Sequence, residues 1–262
     1  MDFLSRWRRI ADAPTIRRCV LCHGSSGVSD GICAGCRDDL AAYRTDAANS
    51  CPLCFRHIQG GSVCGGCQKK PPAFDRMWAS LHYEPPVSNM IHALKHLADL
   101  SMVQPLADLM MQNPPDRLAD ECFDFVLPVP LSRERLLQRG FNQSESIVGL
   151  LAQRYGWQIL PRHTVFRHHR PPQSTLKGGE RRRNIKNAFE IRTPPPKNCN
   201  ILLIDDVFTT GATLDELAKT LKKSGANRIC CWTLARTPMK KKITKFFDTP
   251  SALWQGYAPI SD

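Results

Sequence analysis

The sequence predicts an α/β domain behind a small metal-binding module, and three observations predict it. Eight of the twelve cysteines fall before residue 70 as four Cys-x-x-Cys pairs. Beyond Pro71-Pro72 the pairs stop and strand and helix patterns alternate, as they do when helices pack on a mostly parallel sheet. Within that second part, a buried strand passes through an acidic, threonine-rich turn into a helix between Ile201 and Leu214. The predicted division is residues 1–71 for the cysteine module and 72–262 for the α/β domain. A chain of 262 residues with 42% hydrophobic content is long enough for one substantial core and one appendage.

The elements follow in order. The first segment, MDFLSRWRRIADAP, has too short an apolar stretch for a signal peptide, and it reads as a helix docked on the protein's own body. The pairs Cys19/Cys22, Cys33/Cys36, Cys51/Cys54 and Cys64/Cys67 come next. A Cys-x-x-Cys turn presents two thiolates to one ion from one side, so four pairs imply two structural Zn²⁺ sites. Ten residues separate Cys22 from Cys33 and nine separate Cys54 from Cys64, so the nearest pairs can share a metal as consecutive ribbons, with a cross-braced arrangement left open at this point. The intervening segments are polar and glycine-rich, so metal binding supplies folding energy, about 10–16 kcal/mol per site by analogy with zinc peptides. Cys122, Cys199, Cys230 and Cys231 have no partner at ligand spacing and read as buried small hydrophobes, while His23 and His57 are surplus to eight thiolates.

In the second part, Met77–Tyr83 reads as a strand. Met90, Ile91, Leu94 and Leu97 recur at helical spacing, and a second helix lies around residues 102–111. Phe125–Val129 is a compact strand, followed by an arginine-rich loop and a helix opened by Asn142, with Glu145 three residues on as a capping box. Residues 167–187, without apolar period and rich in charge, proline and glycine, read as a long mobile loop.

The run NILLIDDVFTTGATLDELAKTLKKSGA carries the chemistry. Leu214, Leu217, Ala218 and Leu221 form the inner face of its helix and Gly225 its stop. The turn therefore sits at a helix N-terminus, where unpaired N–H groups and the positive end of the dipole bind phosphate. Gly211 allows close approach, Ala212 lies between, and Thr209, Thr210 and Thr213 add hydroxyl donors. Two adjacent carboxylates, Asp205 and Asp206, repel phosphate and suit neutral hydroxyls such as those of ribose.

The formal charge of +12 favours anionic partners. The longest strongly apolar run, Ile201–Ile204, is far below the ~20 residues of a membrane span, so a soluble, cytoplasmic protein is expected.

ILLIDDVFTTGAT resembles the ribose-phosphate motif of the type I phosphoribosyltransferases. The strand DFVLPVP, the run with Arg133, Arg135 and Arg139 to Gln143, the PPQ and ERRRN segments and the cysteine pairs resemble the ComF family over nearly the whole chain. The family's threonine three residues before its loop glutamine is Arg170 here. The resemblance implies a phosphoribosyltransferase-like domain with an N-terminal double zinc ribbon. It implies Asp205 and Asp206 on the ribose hydroxyls, residues 209–213 on the 5-phosphate of phosphoribosyl pyrophosphate (PRPP) or a nucleotide, and Mg²⁺ with the pyrophosphate. It also implies a part in natural competence, the uptake of single-stranded DNA into the cytoplasm, with the uptake machinery at the inner membrane as a partner. Arg139 is the arginine expected to neutralise leaving pyrophosphate. Three functions are thus expected in rank: a DNA-uptake protein using this pocket, a phosphoribosyltransferase of unspecified acceptor, and a PRPP or nucleotide sensor without turnover. The basic tail Lys240–Lys245 and the charged loop favour single-stranded DNA.

Overall fold

The computed structural model describes residues 18–116, 118–169 and 185–238. The expected N-terminal helix, the Arg170 to Gln173 segment and the basic tail lie outside the described residues. Four strands form one parallel sheet: β3 (Arg76–His82), β4 (Phe125–Pro128), β7 (Asn200–Phe208) and β8 (Arg228–Arg236), in the order β3-β8-β7-β4. β7 and β8 sit in the middle, and their side chains are almost continuously buried. Strands covered on both faces need such uninterrupted apolar runs, which is why ILLI and ICCWTLA are not alternating. Trp232 of β8 is fully buried and donates its indole N–H to Ser80 Oγ at 2.9 Å.

Helices α3 (Val87–His96), α4 (Val103–Gln112), α6 (Gln143–Tyr155) and α7 (Ala212–Lys223) supply the apolar faces that pack on this core. Leu97 does not continue the helical face predicted for it: α3 ends at His96, and Leu97 is the C-cap and 64% exposed. The arginine-rich stretch after β4 is not all loop. It contains the short helix α5 (Arg133–Arg139), capped at its start by Ser132 and ended by Gly140 in the left-handed region. Asn142 caps α6 as expected, its side chain accepting from Ser144 N at 3.1 Å. Glu145, however, pairs with Arg162 and closes no capping box. The long charged segment is framed by a two-stranded antiparallel ladder, β5 (Val165–Arg167) with β6 (Phe189–Ile191), so Arg167 is a strand residue. Cys199, Cys230 and Cys231 are buried, but Cys122 is exposed because it follows a surface 3₁₀ turn at Leu118–Asp120.

The N-terminal cysteines build two similar units. In the first, β1 (Val28–Ser29) and β2 (Ile32–Cys33) form a hairpin leading into α1 (Ala34–Ala41), with Cys33 at the helix N-cap. In the second, Cys64 is the N-cap of α2 (Gly65–Lys69). The residue after each first pair, His23 or Phe55, adopts a left-handed conformation that turns the chain back. The first unit packs on the helices, with Val20 and Leu21 against Met90 and Ala93 and an Arg37–Asp108 ion pair to α4. The second meets the sheet: Met77 N donates to Pro52 O at 2.9 Å.

Candidate functional site

Cys19, Cys22, Cys33 and Cys36 converge with their Sγ atoms within 4.8 Å of one another, and so do Cys51, Cys54, Cys64 and Cys67. The nearest pairs therefore share a cluster, and the cross-braced alternative is excluded. Cys22 Sγ to Cys33 Sγ and Cys54 Sγ to Cys64 Sγ are both 3.6 Å, far beyond an S–S bond and close to the about 3.8 Å edge of a tetrahedron with 2.3 Å metal–sulfur bonds. Burial works against charge on these thiols, but N–H groups of Cys22, Cys33 and Leu21 bring Cys19 down to about 7. Cys64 also falls to about 7, burial being outweighed by the Cys67 N–H and neighbouring thiols. Burial and the neighbouring sulfurs push Cys36 and Cys67 far up. Four sulfurs this close would repel one another as thiolates without a cation, so the donor set fits a divalent metal bound by sulfur.

The second site forms at the carboxyl ends of the central strands, where open α/β sheets bind ligands. Asp205 and Asp206 end the hydrophobic run of β7. Asp205 Oδ1 accepts from Ser144 Oγ and from Asp206 N, each at 3.0 Å. Asp206 is 4% exposed, and its Oδ2 lies 2.8 Å from Lys95 Nζ. That contact is a charge pair outside hydrogen-bond angles, so Oδ2 remains a buried acceptor without a hydrogen bond. Lys95 compensates its charge, and a ligand hydroxyl or a water on a bound cation would supply the hydrogen bond it lacks. Burial and the neighbouring Asp206 push the Asp205 carboxyl up to about 7, while Lys95, the Asp206 N–H and Ser144 oppose the rise.

Beyond the acids comes the turn. Thr209 and Thr210 are exposed, Gly211 and Thr213 half-buried and Ala212 buried. Gly211 is the N-cap of α7 at φ +74°, and Asp215 N makes the return hydrogen bond to its carbonyl. The N–H groups of the first helical turn thus face outward from a 12-residue helix. Thr210 Oγ1 receives one of them, from Ala212 N at 3.4 Å. A Cβ on Gly211 would lie 2.5 Å from Phe208 Cζ, so this glycine is required by the packed ring as well as by its left-handed backbone.

Arg139 does reach this neighbourhood. Its Nη1 donates to Gln143 Oε1 at 2.7 Å, and burial lowers its basicity against the opposing pull of Asp206. Two cations escaped sequence reasoning. Lys95 is the single lysine of the amphipathic helix α3, near its C-terminal end, and nothing local marks it. Arg167 stood at the edge of a presumed loop, yet its Nη1 donates to Pro130 O at 3.0 Å and its guanidinium lies 5.3 Å from the Phe189 ring centroid. Burial takes Arg167 down to about 10, with Asp205 and Asp206 pulling the other way. Ser144, also missed, follows directly from the asparagine cap, which could have flagged it.

Two predictions arise here. Lys95→Ala leaves a buried carboxylate without its counter-charge and is expected to destabilise the protein by roughly 2–3 kcal/mol, below the cost for fully buried pairs because Lys95 is partly solvated; denaturant titration checks it. Asp205 holds its proton in the folded chain at pH values where the unfolded chain, near 3.8, has released it. Stability from that proton is fully present below about pH 4 and is lost as pH rises through about 7. Ligand-free Asp205→Asn is therefore expected to be more stable than wild type by about 1–3 kcal/mol at pH 8, the gap closing towards pH 4, as read from melting curves across pH.

No protein-family model matches the chain. Competence protein F of Haemophilus influenzae is 32% identical over 231 residues, covering 84% of this chain and 96% of that protein. DNA utilization protein YhgH of Salmonella typhimurium is 32% identical over 238 residues with the same coverage, and competence protein ComFC of Bacillus subtilis is 28% identical over 213 residues, covering 79% and 84%. Among solved structures, a purine phosphoribosyltransferase from Pyrococcus horikoshii matches at 15% identity, covering 67% of this chain and 98% of that one, with a TM-score of 0.24, too low to support an argument. No helix among the described residues is long and apolar enough to cross a membrane. Sequence identity near one third across almost the full length of both chains places this protein in the ComF (competence protein F) family.

Proposed function

We propose that the turn at the end of β7 binds PRPP or another ribose 5-phosphate group and that the protein works in natural competence, handling single-stranded DNA as it enters the cytoplasm. One observation carries the pocket: the buried Asp206, whose Oδ2 is charge-paired with Lys95 but accepts no hydrogen bond, stands five residues before Gly211, where a helix N-terminus opens. A hydroxyl-accepting pair beside an anion-binding turn matches a sugar phosphate and little else. In this reading Asp205 and Asp206 accept the 2′- and 3′-hydroxyls, and the N–H groups and hydroxyls of residues 209–213 take the 5-phosphate. The two cysteine clusters hold structural zinc. The relatives' names, competence protein F and DNA utilization protein, support the biological role.

A second reading, a phosphoribosyltransferase, is favoured by Arg139 and Arg167, both half-buried and both within the field of the acid pair. Mg²⁺ would enter with the pyrophosphate and neutralise its charge. Arg139 and Arg167 would stabilise the departing diphosphate as the bond at C1 of the sugar breaks, and the packed β5–β6 ladder would keep Arg167 in place. A competition experiment tests the main reading. A 5′-phosphorylated single-stranded oligonucleotide and PRPP should displace each other, whereas a 5′-hydroxyl oligonucleotide should bind only through salt-sensitive contacts. Binding of all three with no mutual competition overturns the shared pocket, and pyrophosphate release on adding a nucleophile establishes catalysis.

A further inference from the structure

The two cysteine clusters differ in what they touch. The first reaches α3 and α4 through Val20, Leu21 and Arg37. The second reaches the end of β8. There Arg236, 7% exposed, donates Nε–H to the carbonyl of Cys54 at 2.8 Å, and Cys54 is one of the four sulfur donors. The same guanidinium donates to Thr237 O at 2.5 Å and lies 5.6 Å from the Phe208 ring centroid. That ring covers Gly211 so closely that a methyl group there would collide with it, and Phe74 meets it edge-on at 6.4 Å. The segment leaving the second cluster then grips α7 at both ends. Ala73 N donates to Asp215 Oδ1 at 2.6 Å at its start, and Asp75 pairs with Lys222 at 2.7 Å at its finish.

We infer that Arg236 is a positioning residue that ties the second cysteine cluster to the turn at Thr209–Thr213, so that metal in this cluster, and not in the first, keeps the anion-binding turn in shape. A metal fixes Cys54 through its sulfur, and the carbonyl of the same residue then fixes the planar fork of Arg236. A flat cation held over Phe208 restrains the ring, and the ring restrains the left-handed glycine whose neighbours present their N–H groups. Releasing the metal frees residues 51–54, removes the acceptor from a buried arginine and lets the ring move off Gly211. The inference rests on the phosphate reading only for what the turn binds; the coupling itself is a property of the ligand-free chain.

Hydrogen exchange by mass spectrometry on the full-length, metal-loaded protein tests it without any ligand. Arg236→Gln is expected to keep two metals per chain yet exchange the amides of residues 209–214 about tenfold faster, with Arg236→Lys restoring only part of the protection. Should Arg236→Gln not fold, Phe208→Leu, which keeps an apolar side chain but removes the ring face, is expected to loosen the same amides. Cys64→Ser should loosen them and Cys33→Ser should not. Unchanged exchange in both Arg236→Gln and Phe208→Leu, or equal loosening by the two cysteine variants, overturns the coupling. A parallel titration with ribose 5-phosphate separates the claims: no binding by wild type sinks the phosphate reading while the exchange data still decide the coupling.

Discussion

Stripping the metals with a strong chelator is expected to lower the melting temperature of the whole chain by 10 °C or more and to release two zinc ions per protein (on the order of a loss of 5 kcal/mol, at about 2–4 °C per kcal/mol for a domain this size). The effect should extend beyond the N-terminal module because the module is not a separate bead. Cys19, Val20, Leu21, Ile32, Leu40 and Phe55 belong to the same continuous apolar core as β3, β7 and β8. Without a cation, thiolates 3.6 Å apart repel or must take up protons, and the turns that carry them have little apolar surface of their own. Calorimetry with elemental analysis checks this. Metal loss with an unchanged melting curve would show that packing alone holds the ribbons.

The second large effect is expected at Gly211. Alanine there must keep φ near +74° and place a methyl group 2.5 Å from one ring carbon of Phe208 and 2.8 Å from another. Left-handed backbone costs an ordinary residue about 1 kcal/mol, and moving a packed ring adds to it, so Gly211→Ala should destabilise the protein by roughly 2–4 kcal/mol. The larger consequence falls on ligand: a turn that opens by even 1 Å no longer converges its N–H groups, and ribose 5-phosphate affinity should fall at least about 100-fold. Titration calorimetry beside a denaturant curve reads both, and normal affinity in the variant would move the anion site elsewhere.

Much of this was legible in the sequence for physical reasons. A strand buried on both faces has to be continuously apolar, so ILLI announced the central strand, although β7 runs on through the acid pair to Phe208. Cys-x-x-Cys spacing is set by ligand geometry, which made the clusters visible, but which pairs combine depends on chain reversal and emerged only in three dimensions. Tertiary contacts hid the rest. Lys95 and Arg167 enter the site from elements far away in sequence, and Arg236 reaches the second cluster across 182 residues. Glu145 shows the same limit in reverse: the local pattern for a capping box was present, and Arg162 outcompeted it.

The central claim, that the acid pair and the turn form one site for a ribose phosphate, is tested most directly by the melting shift of wild type and of the Asp205→Asn/Asp206→Asn double variant with PRPP and Mg²⁺. A rise of several degrees in wild type that disappears in the double variant is the predicted result. An equal rise in both proteins, or none in wild type at millimolar ligand, would contradict it.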